Sequence, residues 1–161
     1  KESTMSPKET IAALYAAYAS GDPARITELL HEDVVWVAPA GNATQVALGL
    51  GNASDAGAPR DNNNLGRSMI VQFMAHNFAR LFLNAKNEFR SMIAEGPLVF
   101  AEHRLSAQLP NGRDYVNDYC FAYEVRDGKV VKIREYMDTR GGWFQVYGDE
   151  TPTRLLEFIE A

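Results

Sequence analysis

Apolar and polar residues alternate with a period of two through much of the C-terminal half of the chain. Alternation of this length is typical of β-strands with one buried face, and the Pro-Asn-Gly and Asp-Gly sequences between the runs are typical of hairpin turns. We therefore predict four successive strands, of which the last three form an antiparallel meander. The alternating runs span residues 87–94, 98–109, 113–125 and 129–138.

The N-terminal part instead carries helix-start signals followed by apolar residues at helical spacing. Ser6, Pro7 and Glu9 combine an N-cap, a first-turn proline and a capping-box glutamate. Asp22-Pro23 repeats the order of cap and proline. We predict two consecutive helices that pack closely through their many alanines.

The middle of the chain mixes a strand, a long loop and a helix. Residues 34–37 form an apolar run that Pro39 ends, and residues 64–80 return to helical spacing. Between them, residues 41–66 are rich in Gly, Asn, Ala and Asp and have no sustained periodicity. Such a loop is either a flexible flap over the mouth of a pocket or a disordered segment. A short terminal helix is predicted over residues 153–159.

The order of these elements predicts the fold class. Helices come first and long strands follow, which indicates an α+β layer fold in a single domain over residues 1–161. A strongly twisted antiparallel sheet curls, and helices on its concave side close it into a cone. We predict a cone-shaped α+β barrel, with a curved antiparallel sheet wrapped around the N-terminal helices and an interior pocket.

Composition narrows the choice of partners. The 161-residue chain has a net charge of −5 and no run of Lys or Arg, so we expect neither nucleic-acid binding nor membrane association. Cys120 is the single cysteine, and neither a membrane-spanning run nor a signal-peptide pattern is present; together these predict a cytoplasmic protein. His31, His76 and His103 are too scattered to suggest a metal site, and we expect no cofactor, although His76 is a candidate ligand contact.

Polar residues recur at alternate positions within the predicted meander. Alternation places Glu102 and Arg104 on one face of its first strand, and Asn117 and Tyr119 on one face of its second. Glu135 lies on the last strand. Polar groups on the core-facing side of a sheet are typical of a binding or catalytic pocket.

Several segments together resemble the nuclear-transport-factor-2-like superfamily, and most closely its SnoaL-like branch. They are the helix pair, the DVVW strand, the Gly-rich loop and the ending RDYVNDYCFAYEVRDGKVVKIREYMDT. This branch includes ketosteroid isomerases, polyketide cyclases and limonene-epoxide hydrolases. The resemblance implies a small hydrophobic ligand and a homodimer, but no particular reaction, because the fold hosts many chemistries.

The epoxide hydrolases imply a charged cluster in the cavity. Their Arg-x-Asp pair falls on Glu102 and Arg104 with the charges reversed, and their last-strand Asp falls on Glu135. The tyrosine and asparagine that position water in those enzymes fall near Val35 and Val37. Because valine cannot hold water, epoxide hydrolysis by that mechanism is not expected.

The ketosteroid isomerases match no better. Their general base, an Asp before a proline, falls on Ala38 before Pro39, and their oxyanion-hole tyrosine resembles Tyr15 or Tyr18 in placement. Because the base is absent, steroid isomerisation by that route is not expected.

The resemblance also implies how the first meander strand faces. Phe100, Glu102 and Arg104 would line the cavity, and Glu135 would join them. Two carboxylates and one guanidinium leave one excess negative charge, so that one carboxyl group, preferably Glu135, would titrate upward and act as general acid or base. The alternative is an ion network that fixes the sheet register. The remaining apolar set would form an outer surface for a homodimer: Val99, Ala101, His103, Leu105 and Ala107.

We therefore predict a cofactor-independent acid–base enzyme of isomerase, cyclase, dehydratase or hydrolase type. Its catalytic residues would be Glu135, Glu102 and Arg104, and its substrate a small hydrophobic oxygenated compound. A non-catalytic ligand-binding or interaction module of the same fold is the alternative. The predicted ligand contacts are Asn117, Tyr119, Tyr15, Val35, Val37, Phe100 and Met137.

Overall fold

The structure is a computed structural model that describes residues 5–39, 42–47 and 64–148. Within these ranges the helices and strands follow one another in the order that the apolar pattern predicts, with three additions, over residues 43–47, 64–66 and 139–147. The elements are α1 (Pro7–Ser20), α2 (Pro23–Leu29), β1 (Leu30–Val37), α3 (Ala43–Ala47), β2 (Asn64–Gly66), α4 (Arg67–Gln72), a π-helical turn (Phe73–Asn77), α5 (Phe78–Leu81), β3 (Leu83–Glu95), β4 (Leu98–Gln108), β5 (Asp114–Arg126), β6 (Lys129–Met137) and α6 (Thr139–Tyr147).

Both N-terminal helices begin at the predicted caps. The Ser6 hydroxyl accepts a hydrogen bond from the Glu9 backbone N–H at 3.3 Å, and the Ser6 N–H donates to the Glu9 carboxylate at 2.8 Å. Asp22 accepts from two backbone N–H groups at the start of α2. Gly21 ends α1 with φ +65°, a conformation that side chains with a Cβ rarely adopt. The two helices therefore form a hairpin with a sharply defined corner.

The strands form one six-stranded sheet in the order β2-β1-β6-β5-β4-β3. Strands β3 to β6 pair antiparallel, which confirms the predicted meander. Strand β1 runs parallel to β6, so the sheet is mixed rather than purely antiparallel. The sheet is curved and not closed, with the N-terminal helices packed against it. The predicted α+β cone is confirmed, although its sheet remains open.

The pairing of β4 with β5 overturns the predicted facing of β4. Gln108 pairs with Asp114, so His103 lies opposite Tyr119 and Glu102 lies opposite Cys120. Paired residues share a face of a sheet, and the face that carries Tyr119 is the buried one. The core-facing side of β4 is therefore the apolar set. It consists of Val99, Ala101, His103 and Leu105, all of which are buried.

The third predicted helix contains an irregularity that shapes the interior. In a regular α-helix, residues five apart point about 140° away from each other. The π-helical turn closes over five residues, which brings Phe73 and Phe78 to the same side with ring centroids 6.0 Å apart. His76 lies in the same turn but is exposed to solvent.

Two segments of the predicted flexible loop form regular secondary structure. Residues 43–47 form α3, and residues 64–66 form β2, which pairs with β1. The rest of the predicted loop and the predicted helix at 153–159 lie outside the described residues. Among the helices that the structure describes, none combines the length and the apolar character needed to cross a bilayer.

Candidate functional site

A cavity lies between the helices and the buried face of the sheet, with a volume of about 60 Å³. Most of its wall is formed by aromatic rings and aliphatic side chains, and no Lys or Arg occurs among its described lining residues. The aromatic members of the wall are Tyr15, Tyr18, Trp36, Phe73, Phe78, Phe82, His103, Tyr119, Phe121 and Tyr123. Its other polar members are Asn42, Thr44, Gln45, Asn87 and Glu135.

Glu135 is the carboxyl group of this cavity among the described lining residues. It lies on β6 and is only 6% exposed. Trp36, on the neighbouring strand β1, donates its indole N–H to Glu135 Oε2 over 3.1 Å. This bond fixes the orientation of the carboxyl group within apolar surroundings. A carboxyl group held in this way is suited to accept or donate a proton.

A pair of tyrosines joins α1 to β5 at the cavity wall. The Tyr123 hydroxyl donates to the Tyr15 hydroxyl over 2.7 Å. Because Tyr15 accepts this bond, its own hydroxyl hydrogen remains to be donated to a third group. Burial raises the pKa of Tyr15 and of Tyr123, so both side chains are neutral phenols at ordinary pH. The placement of Tyr15 in the cavity agrees with the prediction.

A second pair, Tyr115 and Tyr119, has hydroxyl oxygens 2.8 Å apart. Asn117 donates its amide N–H to the Tyr115 hydroxyl at 3.1 Å and to the Asp138 carbonyl at 2.9 Å. Tyr119 lines the cavity as predicted, whereas Asn117 is not among the cavity-lining residues. Both hydrogens of the Asn117 amide are directed to protein oxygens. Asn117 therefore orients the Tyr115 hydroxyl without itself lining the cavity.

His103 is a cavity residue that the sequence analysis assigned to the wrong face. Its ring lies nearly parallel to those of Tyr119 and Phe121, at centroid distances of 5.5 and 5.6 Å. The side chain is 5% exposed, and its Nδ1 has no hydrogen-bond partner among the described residues. Burial lowers the pKa of His103 to about 4, so the imidazole is uncharged at neutral pH.

Helix α3 brings three further polar side chains to the cavity from within the predicted flexible loop. Asn42, which precedes it, accepts a hydrogen bond from the Gln45 backbone N–H at 2.9 Å through its Oδ1. Gln45 is 4% exposed, and neither atom of its side-chain amide has a partner among the described residues. Thr44 completes the group. No periodic signal in the sequence marked this segment as helical, since it spans little more than one turn.

The predicted charged cluster does not form, because Glu102 and Arg104 lie on the outer face of the sheet. Arg104 binds Asp118 through two parallel hydrogen bonds of 2.8 and 2.9 Å. Arg90 links the two carboxylates, lying 3.4 Å from Glu102 and 3.2 Å from Asp118. These side chains are roughly half exposed and form a solvated ion network, which was the alternative interpretation. The cavity retains only Glu135 of the predicted cluster.

The remaining predicted ligand contacts also lie outside the cavity wall. Val35 and Val37 flank Trp36 on β1, and alternation directs them away from the interior that Trp36 faces. Phe100 is 44% exposed on the outer face of β4. Met137 is partly buried at the edge of the core but does not line the cavity. On β1 and β4, the residues next to the predicted ones face inward. On β6, the cavity residue is Glu135, two positions before Met137.

The sequence matches the profile of one known protein family. A family profile described as "SnoaL-like domain" matches residues 11–133. No curated protein matches the sequence.

Solved structures of similar fold include proteins connected with small molecules. Wild-type IdmH of Streptomyces antibioticus, a proposed polyketide cyclase, is 22% identical with a TM-score of 0.67, over 88% of this chain and 99% of IdmH. TerC, co-crystallised with polyporic acid, is 26% identical with a TM-score of 0.67, over 88% and 98% of the two chains. A Catenulispora acidiphila protein with a ketosteroid isomerase-like fold, in complex with trimethylamine, is 17% identical with a TM-score of 0.63, over 89% and 98%.

Proposed function

The chain belongs to the SnoaL-like domain family, and on this premise we propose that it is a cofactor-independent acid–base enzyme with Glu135 as its proton carrier. Its substrate is a small, mainly hydrophobic compound that bears oxygen. Isomerisation, cyclisation, dehydration and hydrolysis all require a proton to be moved by a positioned side chain, and this proposal does not choose among them.

The observation that carries the proposal is the environment of Glu135. The carboxyl group is buried and oriented by Trp36, and it faces a cavity whose other described lining residues are apolar or uncharged. A carboxyl group that is held beside a substrate in this way is positioned to accept a proton from it or donate a proton to it.

The tyrosine hydroxyls supply a complementary function. The Tyr15 hydroxyl hydrogen remains to be donated, because Tyr15 accepts a bond from Tyr123. A neutral phenol of this kind stabilises negative charge that develops on a substrate oxygen while a carboxylate removes a neighbouring proton. Glu135 and Tyr15 both line the cavity, so one substrate is able to contact both.

The similar structures support the ligand class only in outline. IdmH is a proposed polyketide cyclase, and TerC was co-crystallised with polyporic acid. Those activities and ligands belong to those proteins. For this chain we take from them that cavities of this fold accept small organic molecules.

The test uses a proton-transfer reaction that does not require the natural substrate. We expect the wild-type protein to accelerate hydrogen–deuterium exchange at the α-carbons of 2-butanone and 2,4-pentanedione in D₂O, followed by ¹H NMR. Glu135→Gln keeps the shape of the side chain but removes its proton chemistry, and we expect it to lower the accelerated rate by about a hundredfold or more.

Glu102→Gln is the matched control, because it makes the same chemical change on the outer face of the sheet. It should leave the exchange rate unchanged. Equal rates for Glu135→Gln and the wild type would show that Glu135 does not carry the proton.

A ligand-binding or interaction module without catalysis is the second candidate, and the small cavity favours it because little room is left for a substrate. About 60 Å³ is well below the roughly 300–1,000 Å³ of typical small-molecule pockets. The paired tyrosine hydroxyls also satisfy one another in part. Binding of the ketones without any acceleration of exchange by the wild-type protein would favour this candidate.

We also propose a homodimer through the outer face of β3 to β6, although the apolar set first assigned to that face lies in the core. The outer face instead exposes Ile93, Phe100 and Tyr136 beside the ion network of Arg90 and Arg104 with Asp118 and Glu102. A surface that combines apolar side chains with both signs of charge is able to complement a second copy of itself.

The proposed location is cytoplasmic. Cys120 is a free cysteine of intermediate exposure. Burial raises the pKa of its thiol, so the thiol is mainly protonated at neutral pH. An unpaired thiol persists most easily in a reducing compartment.

A further inference from the structure

We propose that His103 and Gln45 recognise the ligand of the cavity, and that they select an uncharged molecule with a hydroxyl or carbonyl oxygen. This inference rests on the proposed function in one respect only, namely that the cavity is where the ligand binds. It adds two residues that contact the ligand, and it adds the requirement that the ligand be uncharged. Neither follows from the acid–base role of Glu135.

Several buried polar atoms in the cavity wall lack hydrogen-bond partners among the described residues. Among the described residues, three buried side-chain N or O atoms have no hydrogen-bond partner, and they are His103 Nδ1, Gln45 Nε2 and Gln45 Oε1. Buried polar groups in folded proteins are nearly always paired, because leaving them unpaired costs free energy. All three atoms belong to residues that line the same cavity. A ligand that pairs with them explains why they are tolerated at this place.

The cavity wall is poorly suited to bind an anion. Recognition of a carboxylate or phosphate normally uses Arg, Lys or a protonated histidine. The described lining residues include no Lys or Arg, and the low pKa of His103 leaves its imidazole uncharged at neutral pH. Glu135 in the same wall would repel a second negative charge when it is ionised. The cavity therefore disfavours anionic ligands.

A cation also matches the hydrogen-bonding groups of the cavity less well than a neutral ligand does. Aromatic rings beside a carboxylate attract ammonium groups, so the wall alone does not exclude them. An ammonium ion, however, only donates hydrogen bonds, and it would leave the donor group of Gln45 unpaired. A neutral imidazole and an amide each offer one donor side and one acceptor side. A hydroxyl oxygen satisfies both sides, and a carbonyl oxygen satisfies the donors.

The experiment compares three probes of similar shape that fit a narrow cavity. They are tert-butanol, pivalate and tert-butylammonium, which are neutral, anionic and cationic at pH 7. Binding is followed by NMR of protein labelled with ¹⁵N-histidine, in which His31 and His76 serve as internal references because His103 is the histidine in the cavity wall. We expect tert-butanol to shift the His103 signals in a saturable way, and the two ions to bind at least about fivefold more weakly.

Variants then test the two residues individually. His103→Phe keeps a planar ring without a polar atom, and Gln45→Leu removes the amide. For these variants the Trp36 indole N–H signal reports binding, since that group lies at Glu135 in the same cavity. Each should weaken tert-butanol binding about twofold to tenfold, as expected for one lost hydrogen bond. His103→Asn retains a donor and an acceptor and should restore part of the affinity, and near-UV circular dichroism checks that every variant is folded.

Tighter binding of either ion than of tert-butanol would overturn the proposal, as would no binding of any probe to the wild type. Unchanged affinity in folded His103→Phe and Gln45→Leu would overturn it as well. None of these results depends on proton transfer. Loss of ketone exchange in Glu135→Gln with equal affinity for all three probes would leave the enzyme proposal intact and reject this one.

Discussion

At the scale of single residues, His103 shows how burial sets the charge of a side chain. Tyr15, Phe89, Tyr119 and Phe121 surround its ring, and all four are uncharged in the range where histidine titrates. Burial among these rings lowers the pKa of His103 from 6.5 to about 4. Between pH 6.5 and about 4, His103 is therefore protonated in the unfolded chain but not in the folded state.

This difference predicts a pH dependence of stability. Between pH 6.5 and about 4 the unfolded state binds a proton that the folded state does not, so the free energy of unfolding decreases as the pH falls through this window. The loss attributable to His103 reaches about 3 kcal/mol at the lower end. Urea unfolding at pH 7, 5.5 and 4.5 measures it, and His103→Phe should show a smaller decrease than the wild type. Identical decreases in the two proteins would contradict the low pKa of His103.

At the scale of elements, helix α6 approaches the sheet closely because Gly142 has no side chain. A Cβ at this position would lie 3.1 Å from both the Asn117 amide nitrogen and the Met137 methyl carbon. Asn117 is the residue that holds the Tyr115 hydroxyl and the Asp138 carbonyl. The packing of α6 is thereby connected to the second tyrosine pair of the cavity.

Gly142→Ala should therefore lower the free energy of unfolding by about 1–3 kcal/mol, because Asn117 or α6 must move to accept the methyl group. Chemical denaturation at neutral pH measures the change. Gly66→Ser is the control, since a Cβ at Gly66 meets no atom within 4 Å and its hydroxyl is able to cap α4. A loss of stability in the control as large as that of Gly142→Ala would mean that close packing is not the cause.

At the scale of the whole molecule, the proposed dimer through the outer face of the sheet predicts how the protein sediments. We expect wild-type protein to sediment as a dimer in analytical ultracentrifugation, and Phe100→Lys to shift it towards monomer by placing a charge among the exposed apolar residues. Phe144→Lys makes the same change at a side chain that is 55% exposed on α6. It should leave the sedimentation unchanged. A monomeric wild type would reject the proposed dimer.

The fold was predictable from the sequence because its signals are local. The cap residues Ser6 and Asp22 form their hydrogen bonds within a few residues, and the alternation of apolar residues in β4 to β6 reflects burial directly. Alternation placed Tyr119 on one face of its strand, whereas Tyr15 and Glu135 were assigned to the cavity by the family resemblance.

The composition of the site was less predictable because it depends on which face of each strand turns inward. For β4 the resemblance to epoxide hydrolases pointed to Glu102 and Arg104, whereas the apolar character of Val99 and Leu105 pointed to the opposite face. Burial decided the outcome, since placing the ion network in the core would cost more than exposing it. Gln45 was missed because a helix of five residues leaves no periodic pattern.

The connection between β4 and β5 has a consequence for how this protein changes in evolution. It contains five residues, 109–113, between the paired residues Gln108 and Asp114. If the turn keeps its length, deleting one of them would draw a strand residue into it, exchange the two faces of β4 relative to β5 and carry Glu102 and Arg104 towards the interior. Such a deletion is tolerated only together with a second change, either a β-bulge or a one-residue shift of the apolar pattern in β4. In homologous sequences, a change in the length of this turn should therefore accompany a one-residue shift of the apolar pattern in β4. An alignment that places no gap in the turn would then assign the wrong residues to the cavity.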